Sequence, residues 1–409
     1  MYIYKAAVIG AGTMGAQIAQ AVSYSGLPVI LKDVKPDSIE RGLATVRKIY
    51  QGRVDKGKMT AHEMEQKMAL VSGAVDYSGF GDVDLVIEAV FEDLSVKRRV
   101  FAELEAACPE NAILATNSSS LSISAIAAGR KRPEKVVGIH FFNPAHVMKL
   151  VEVIPGLATS SETVDDAVTF AESLRKIPVR VQECAGFLVN RLLMPYLNEA
   201  AVALQEIGTP ETAVDEAKRV DAALVALGLP MGPFALTDMI GLDVAAKVAD
   251  VLYDSFGPRM QPAAILGAMV KAGRLGTKSG AGFFTYDDRP DASLPRLIAE
   301  VQKQTGIRGT ACSPHRVLLP LVNEAVICLQ EGVATASDID IAMMAGTGFP
   351  QDKGGPLHYA DHLGLDVVLG ELERLARELG PRFWPAPMLK RMVAAGFLGT
   401  KVKRGFFTY

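Results

Sequence analysis

The amino-acid sequence predicts an α/β chain: a doubly wound sheet followed by two repeated all-α domains. Three observations predict it. Up to about residue 184, short apolar runs alternate with helical patterns. A glycine-rich turn follows the first of those runs. Beyond residue 185 long helical patterns take over, and a ten-residue block beginning at Arg191 returns at Arg316.

The first run, Ala6-Ala7-Val8-Ile9, leads into Gly10-Ala11-Gly12-Thr13-Met14-Gly15 and then a helical pattern continued by Gln17, Ile18 and Ala19. Gly10 permits the strand-to-helix turn, Gly12 lets backbone approach a pyrophosphate, and Gly15 lets helix and strand pack closely. The helix start offers unpaired N–H groups and the positive end of its dipole to an anion. A second run ends on Asp33, where a carboxylate accepts hydrogen bonds from ribose hydroxyls. Strand, turn, helix and acid together describe a Rossmann-like dinucleotide clamp. Asp33 favours NAD over NADP, because each unit of like charge costs about 4 kcal/mol at ~4 Å and an effective dielectric near 20. Lys32 and Lys35 flank it and blunt that preference.

Further strands are expected at Lys5–Ile9, Val29–Lys32, Leu85–Glu88, Ile113–Ala115, Val136–Ile139, Leu150–Val153 and Val179–Val181. From Asp37 to about Leu70 runs a long helical stretch bearing Arg41, Arg47, Lys48, Arg53, Lys56 and Lys58. It reads as a solvated helical hairpin more readily than as a receiver for an anion. A helix is expected from Asp93 to Cys108, with Val96, Val100 and Leu104 on one face. Glu92, just before it, falls where the nicotinamide half of a cofactor passes.

In the helical part, Arg191-Leu192-Leu193-Met194-Pro195-Tyr196-Leu197-Asn198-Glu199-Ala200 returns as Arg316-Val317-Leu318-Leu319-Pro320-Leu321-Val322-Asn323-Glu324-Ala325. Asp238-Met239-Ile240-Gly241-Leu242-Asp243 returns from Asp361, and Gly282-Phe283-Phe284-Thr285-Tyr286 returns from Gly405. The expected domains are residues 1–184, 185–290 and 291–409, with Asp287-Asp288-Arg289-Pro290-Asp291 as a linker.

A chain of 409 residues exceeds one compact core. Its net charge of −3 gives no basic surplus for nucleic acid or an anionic membrane. Pro230, Gly232 and Pro233 interrupt the longest apolar stretch, from Ala222 to Leu236, so no membrane span is expected. The sequence opens directly into its first strand, so no signal or transit peptide is expected and the location is read as cytoplasmic. Cys108, Cys184, Cys312 and Cys328 lack ligand spacing; His315 follows Cys312, but nothing supplies further ligands, so no metal is expected.

An enzyme that oxidises an alcohol by hydride transfer needs a base for the hydroxyl proton, and histidine suits neutral pH. His140 ends the run Val136-Val137-Gly138-Ile139, an address at the carboxyl end of a strand where open α/β sheets bind ligands. Glu152 lies within the apolar run Lys149-Leu150-Val151-Glu152-Val153-Ile154, an expensive place for a carboxylate unless it is paired. Pairing it with one ring nitrogen of His140 resolves that cost and orients the imidazole. Asn117-Ser118-Ser119-Ser120 follows the strand ending at Ala115. Its hydroxyls suit either a substrate oxygen or the cap of a helix from Leu121.

With these motifs in hand, and with Gly186-Phe187-Leu188-Val189-Asn190-Arg191 and Pro230-Met231-Gly232-Pro233, the whole chain resembles the L-3-hydroxyacyl-CoA dehydrogenase family. The resemblance implies an acyl-CoA substrate and NAD. It implies that Ser119 bonds the substrate oxygen, His140 is the general base, Glu152 orients it, and Asn190 completes the site from the first helical domain. It also implies cofactor contacts at Asp33, Glu92, Lys97, Ser119, Asn143 and Lys278. The chain carries two helical copies, as in the dehydrogenase part of multifunctional fatty-acid oxidation proteins, and no hydratase/isomerase segment is expected before Met1. In the second copy His315 replaces Asn190, so that copy reads as structural, covering surface that a partner subunit covers elsewhere. The chain is then either a monomer by virtue of the tandem repeat or a homodimer. Two alternatives share the scaffold: oxidation of another hydroxy acid, such as a sugar acid, and a non-catalytic NAD-binding protein.

Overall fold

The structure, a computed structural model, describes residues 2–207, 209, 211–286, 293–306 and 312–409. The linker expected at 287–291 lies outside the described residues. The chain divides into two compact units, Met1–Phe187 and Leu188–Tyr409.

The first unit is built on an eight-stranded sheet: β1 Ala6–Ile9, β2 Val29–Lys32, β3 Val71–Ala74, β4 Leu85–Glu88, β5 Ile113–Thr116, β6 Val136–Phe141, β7 Leu150–Pro155 and β8 Ile177–Arg180. Their order is β3-β2-β1-β4-β5-β6-β7-β8, parallel throughout except between β6 and β7. All residues of β1, β2, β4 and β5 are buried, as both-face coverage by helices requires of aliphatic runs. The covering helices are α1 Thr13–Tyr24, α2 Pro36–Asp55, α3 Ala61–Met68, α4 Leu94–Ala107, α5 Ile123–Ala127 and α6 Ser161–Ser173.

Three details differ from the sequence reading. β3 carries one strong apolar residue among Val71, Ser72, Gly73 and Ala74, so its pattern is weak; pairing with β2 at the sheet edge makes it a strand. β8 begins earlier than expected because Pro178 is tolerated in an edge strand. Ser122, rather than a serine of the 118–120 run, caps α5, accepting from the Ala125 N–H. The basic stretch folds as the expected hairpin, with Arg47 on α2 meeting Glu65 on α3 at 2.5 Å.

The second unit is helical: α7 Val189–Ile207, α8 Ala213–Ala226, α9 Pro233–Ile240, α10 Leu242–Phe256, α11 Ala264–Lys271, α12 Ser293–Thr305, α13 Pro314–Gln330, α14 Ala336–Thr347, α15 Pro356–Leu363, α16 Leu365–Leu379 and α17 Pro387–Ala394. Helices α7–α11 correspond in order to α13–α17, so the sequence repeat is a structural one. Its shared residues hold each copy together in the same way. Asn198 accepts from the Ala263 N–H and donates to the Gln261 carbonyl, as Asn323 does with Ala386 and Trp384. Asp238 accepts from the Phe283 and Phe284 N–H groups and the Tyr286 hydroxyl, as Asp361 does from Phe406, Phe407 and Tyr409.

The copies meet along α7 and α13 through a reciprocal exchange of charge. Arg191 donates to Glu324 at 2.8 Å and Glu331 at 2.7 Å, while Arg316 donates to Glu199 at 2.7 Å and Glu206 at 2.5 Å. Arg191 and Arg316 are the repeated residue, as are Glu199 with Glu324 and Glu206 with Glu331, so the contact has the self-complementary form of a two-fold interface. Among the described residues no helix is long and apolar enough to cross a membrane.

Candidate active site

The strand order reverses direction between β1 and β4, the place where open α/β sheets bind ligands at the carboxyl ends of their strands. The glycine turn lies there. Gly10 has φ +99°, and a Cβ on it would stand 2.6 Å from the Ala89 carbonyl; one on Gly15 would stand 1.7 Å from the Gly10 carbonyl. Both close contacts explain glycine. Gly12 is different: among the described residues nothing lies within 4 Å of where its Cβ would be, so the backbone there is uncrowded. The first turn of α1 carries no acidic side chain to compete with a phosphate. Asp33, at the end of β2, accepts the Ala11 N–H at 2.9 Å, which brings its carboxylate to the turn. Ala11 is buried, whereas Thr13 is exposed and Met14 partly so. These residues fit a dinucleotide.

On the same edge, antiparallel pairing sets His140 directly opposite Glu152. The His140 Nδ1 lies 2.8 Å from Glu152 Oε2, with the histidine side chain 8% and the glutamate side chain 0% exposed. The imidazole ring is flanked by Phe142 and Phe187, with centroids 4.5 and 5.9 Å away. Nδ1 being engaged by the carboxylate, Nε2 is the nitrogen left for a substrate proton.

The serine run lies after β5 and is tied to Glu92. One carboxylate oxygen of Glu92 accepts the Ser118 hydroxyl at 2.5 Å, the Ser119 N–H at 3.0 Å and the Ser120 N–H at 3.2 Å. Burial pushes the Glu92 carboxyl up, but Lys97 and the serine donors outweigh it and hold it below its ordinary value. Lys97 is 1% exposed, and its ammonium faces Glu88 at 2.7 Å, Glu92 at 3.3 Å and the Val90 carbonyl at 3.5 Å. It therefore acts on this edge through other side chains. Asn143 is exposed, and Gln17 of α1 donates to it at 3.4 Å while accepting the Ala145 N–H at 2.6 Å.

Asn190 and Lys278 belong to the second unit. Asn190 stands in the first turn of α7. Lys278 pairs with Asp243 at 2.5 Å, a contact that Lys401 and Asp366 repeat in the other copy.

Several supporting residues, Asn117 of the serine run apart, carry no motif. Glu88, Thr116 and Gln17 read simply as strand or helix positions. Asn117 accepts the Phe141 N–H at 2.8 Å and so fixes the strand end beside His140. Lys176 donates to the Ala145 and Met148 carbonyls at 2.5 and 2.8 Å, and burial pushes its ammonium down to about 8. The only advance signal was polarity at positions that the flanking apolar pattern buries.

A doubly wound sheet with this turn and an imidazole–carboxylate pair on its active edge defines a dinucleotide-binding protein equipped for proton transfer. Residues 5–184 match the NAD binding domain of 3-hydroxyacyl-CoA dehydrogenase, and residues 186–286 and 314–409 its C-terminal domain. The chain belongs to the 3-hydroxyacyl-CoA dehydrogenase family. It is 37% identical to the peroxisomal fatty acid beta-oxidation multifunctional protein MFP2 of Arabidopsis thaliana, over 97% of this chain; the chain spans 55% of that relative's length. The structure of a 3-hydroxybutyryl-CoA dehydrogenase from Escherichia coli K12 is similar with a TM-score of 0.85 and 33% identity, covering 97% of this chain and 100% of that one. The dehydrogenase part of multifunctional enzyme 1 from C. elegans is similar with a TM-score of 0.65 and 28% identity, covering 96% and 90%.

Proposed function

We propose that the chain oxidises an L-3-hydroxyacyl thioester of coenzyme A to the 3-ketoacyl thioester. The observation that carries this reading is the His140–Glu152 pair on the active edge of a sheet whose first turn fits a dinucleotide. The substrate class rests on the family and on the likeness to the E. coli 3-hydroxybutyryl-CoA dehydrogenase. NAD, when bound, accepts the hydride. The chain's own part is acid–base and positional. His140 takes the hydroxyl proton at Nε2, and Glu152 holds the tautomer and stabilises the imidazolium that forms. Ser119 holds the developing carbonyl oxygen. Asn190 shares that task, and both assignments rest on the resemblance alone.

On the same reading, residues 1–184 are the nucleotide domain, 185–290 the helical domain that completes the site, and 291–409 a structural copy. The reciprocal Arg–Glu exchange supports the last assignment, since α13 covers the α7 face in the manner of a partner subunit. The chain is accordingly a monomer, and a dimeric mass by light scattering overturns that. The location proposed is the cytoplasm, and imaging of the tagged chain tests it against the peroxisome named for the Arabidopsis relative.

The experiment is NAD reduction followed across short, medium, long and dicarboxylic 3-hydroxyacyl thioesters and the matching free acids. Reduction with thioesters in preference to acids is expected. Preference for a free acid favours the sugar-acid alternative, and no reduction with any substrate overturns the enzymatic reading.

A further inference from the structure

Glu88 is a fully buried carboxylate, 0% exposed, at the carboxyl end of β4. Every residue around it in the sheet is aliphatic except Thr116: its register partners are Ile9 on β1 and Thr116 on β5. An ionised group there is costly unless its hydrogen-bonding capacity is met. It is met from three directions. One oxygen accepts the Val90 N–H and the Lys97 ammonium, both at 2.7 Å, and the other accepts the Thr116 hydroxyl at 2.7 Å.

These contacts form one connected path to the serine run. Lys97 passes from Glu88 to Glu92, and Glu92 receives Ser118, Ser119 and Ser120. Thr116 closes a second route, since its hydroxyl also accepts the Ser118 N–H at 3.2 Å. The backbone adds a third: the Glu88 carbonyl accepts the Asn117 N–H at 2.8 Å, and the Asn117 side chain holds the strand end beside His140. On its other side, the segment after Glu88 packs against Gly10, whose missing Cβ makes room for the Ala89 carbonyl.

We propose that Glu88, with Lys97 and Thr116, is a positioning device that sets the Glu92 carboxylate and through it the Ser118–Ser120 backbone. The hydrogen-bond partners shown for the Glu88 carboxylate, Val90, Lys97 and Thr116, belong neither to the glycine turn nor to His140, so its role is exerted through other residues. In the triad of Glu88, Lys97 and Glu92, the first two are buried and Glu92 is a quarter exposed. That arrangement is poor as stabilisation alone but specific in geometry, because the ammonium must sit between two carboxylates. The proposal rests on the dehydrogenase reading only for its effect on turnover.

The test uses Glu88→Gln, which keeps the side-chain shape, and Thr116→Val, which removes both contacts of that hydroxyl and leaves the Glu88–Lys97 contact in place. Three readouts are taken on the full chain. Amide hydrogen exchange needs no substrate. Ser119 and Ser120 amides are expected to exchange at least ~10-fold faster in both variants, with β1 amides unchanged. Turnover with a thioester is expected to fall about 10–100-fold in Glu88→Gln, the scale of a misplacement near 1 Å. NAD affinity, titrated without substrate, should fall by a smaller factor than turnover, because the turn after β1 is untouched while Glu92 and Ser119, expected beside the nicotinamide half, shift. Unchanged exchange at Ser119 and Ser120 in both variants overturns the proposal whatever the activity. Equal loss of NAD affinity and turnover also overturns it. Faster exchange in a chain whose wild type reduces no NAD upholds the device and overturns only the dehydrogenase reading.

Discussion

Each unit of this chain buries a cluster of charged side chains, and the two clusters differ in one respect that separates chemistry from scaffolding. In the helical unit, Arg191, Arg316, Glu199, Glu206 and Glu324 are all under a tenth exposed, and every one has a counterpart in the other copy making the equivalent contact. In the α/β unit, Glu88, Lys97, His140 and Glu152 are as deeply buried but have no counterpart, and they gather at the carboxyl ends of β4 and β6 and in the elements beside them. Burial of charge therefore does not by itself mark an active site. Position on the sheet edge, and the absence of a duplicate, distinguish the second cluster.

The helical unit holds a local version of the same contrast. In its second copy His358 Nδ1 meets Asp340 at 2.7 Å, closely matching the 2.8 Å contact of His140 with Glu152. Asp340, however, also accepts the Leu357 and His358 N–H groups, so it works as the cap of α15. Its counterpart Asp221 caps α9 through Phe234 and Ala235 with no histidine present.

The largest effect expected from this comparison is in turnover. His140→Gln should lower kcat by about 10²–10⁴-fold, or ~3–5 kcal/mol of barrier, with little change in melting temperature. The same measurement on His358→Gln should give wild-type turnover; equal loss in both variants breaks the distinction. Next comes Arg316→Met, which leaves Glu199 and Glu206 short of a buried partner. Removal of one member of such a pair costs about 3–5 kcal/mol, with the lower end expected because Arg382 still meets Glu199 at 2.7 Å. Denaturant unfolding measures the loss, and turnover per folded molecule should be unchanged. A fall in kcat without a fall in stability would place the helical cluster in the chemistry.

The smallest effect concerns pH. Burial pushes the Asp221 carboxyl up to about 6, against the opposing N–H bonds of Phe234 and Ala235. A folded-state value above the unfolded one means that its contribution is fully present below about 3.8 and is lost as pH rises through about 6. In Asp221→Asn this titration is gone. The stability difference between wild type and variant should therefore shift against the wild type by on the order of 1–3 kcal/mol between pH 4 and 7. A shift of the opposite sign would show that the carboxylate is stabilised as the ion.

How much of this was legible beforehand depended on whether the interacting residues are neighbours in sequence. Gly10, Gly12, Gly15 and Asp33 could be read because one βαβ unit contains them all. His140 and Glu152 could be read because a carboxylate in an apolar run demands a partner, and adjacent strands can supply it. Glu88 looked like the last residue of a strand, and its three donors come from three different segments. Asn198 and Glu199 were visible as a repeat, but not Asn198 as a tie within its own copy to Gln261 and Ala263, nor Glu199 as a contact between copies to Arg316 and Arg382.

The order of residues alone determined the alternation that makes a doubly wound sheet, the backbone freedom at the phosphate turn and the duplication of the helical region. Those are properties of contiguous segments, governed by steric limits at glycine and by apolar periodicity. Apart from His140 with Glu152, only the tertiary structure decided which buried charges meet. A Coulombic or hydrogen-bonded pair depends on ångström distances between segments far apart in the chain, and those distances exist only once the sheet and the helical copies have packed.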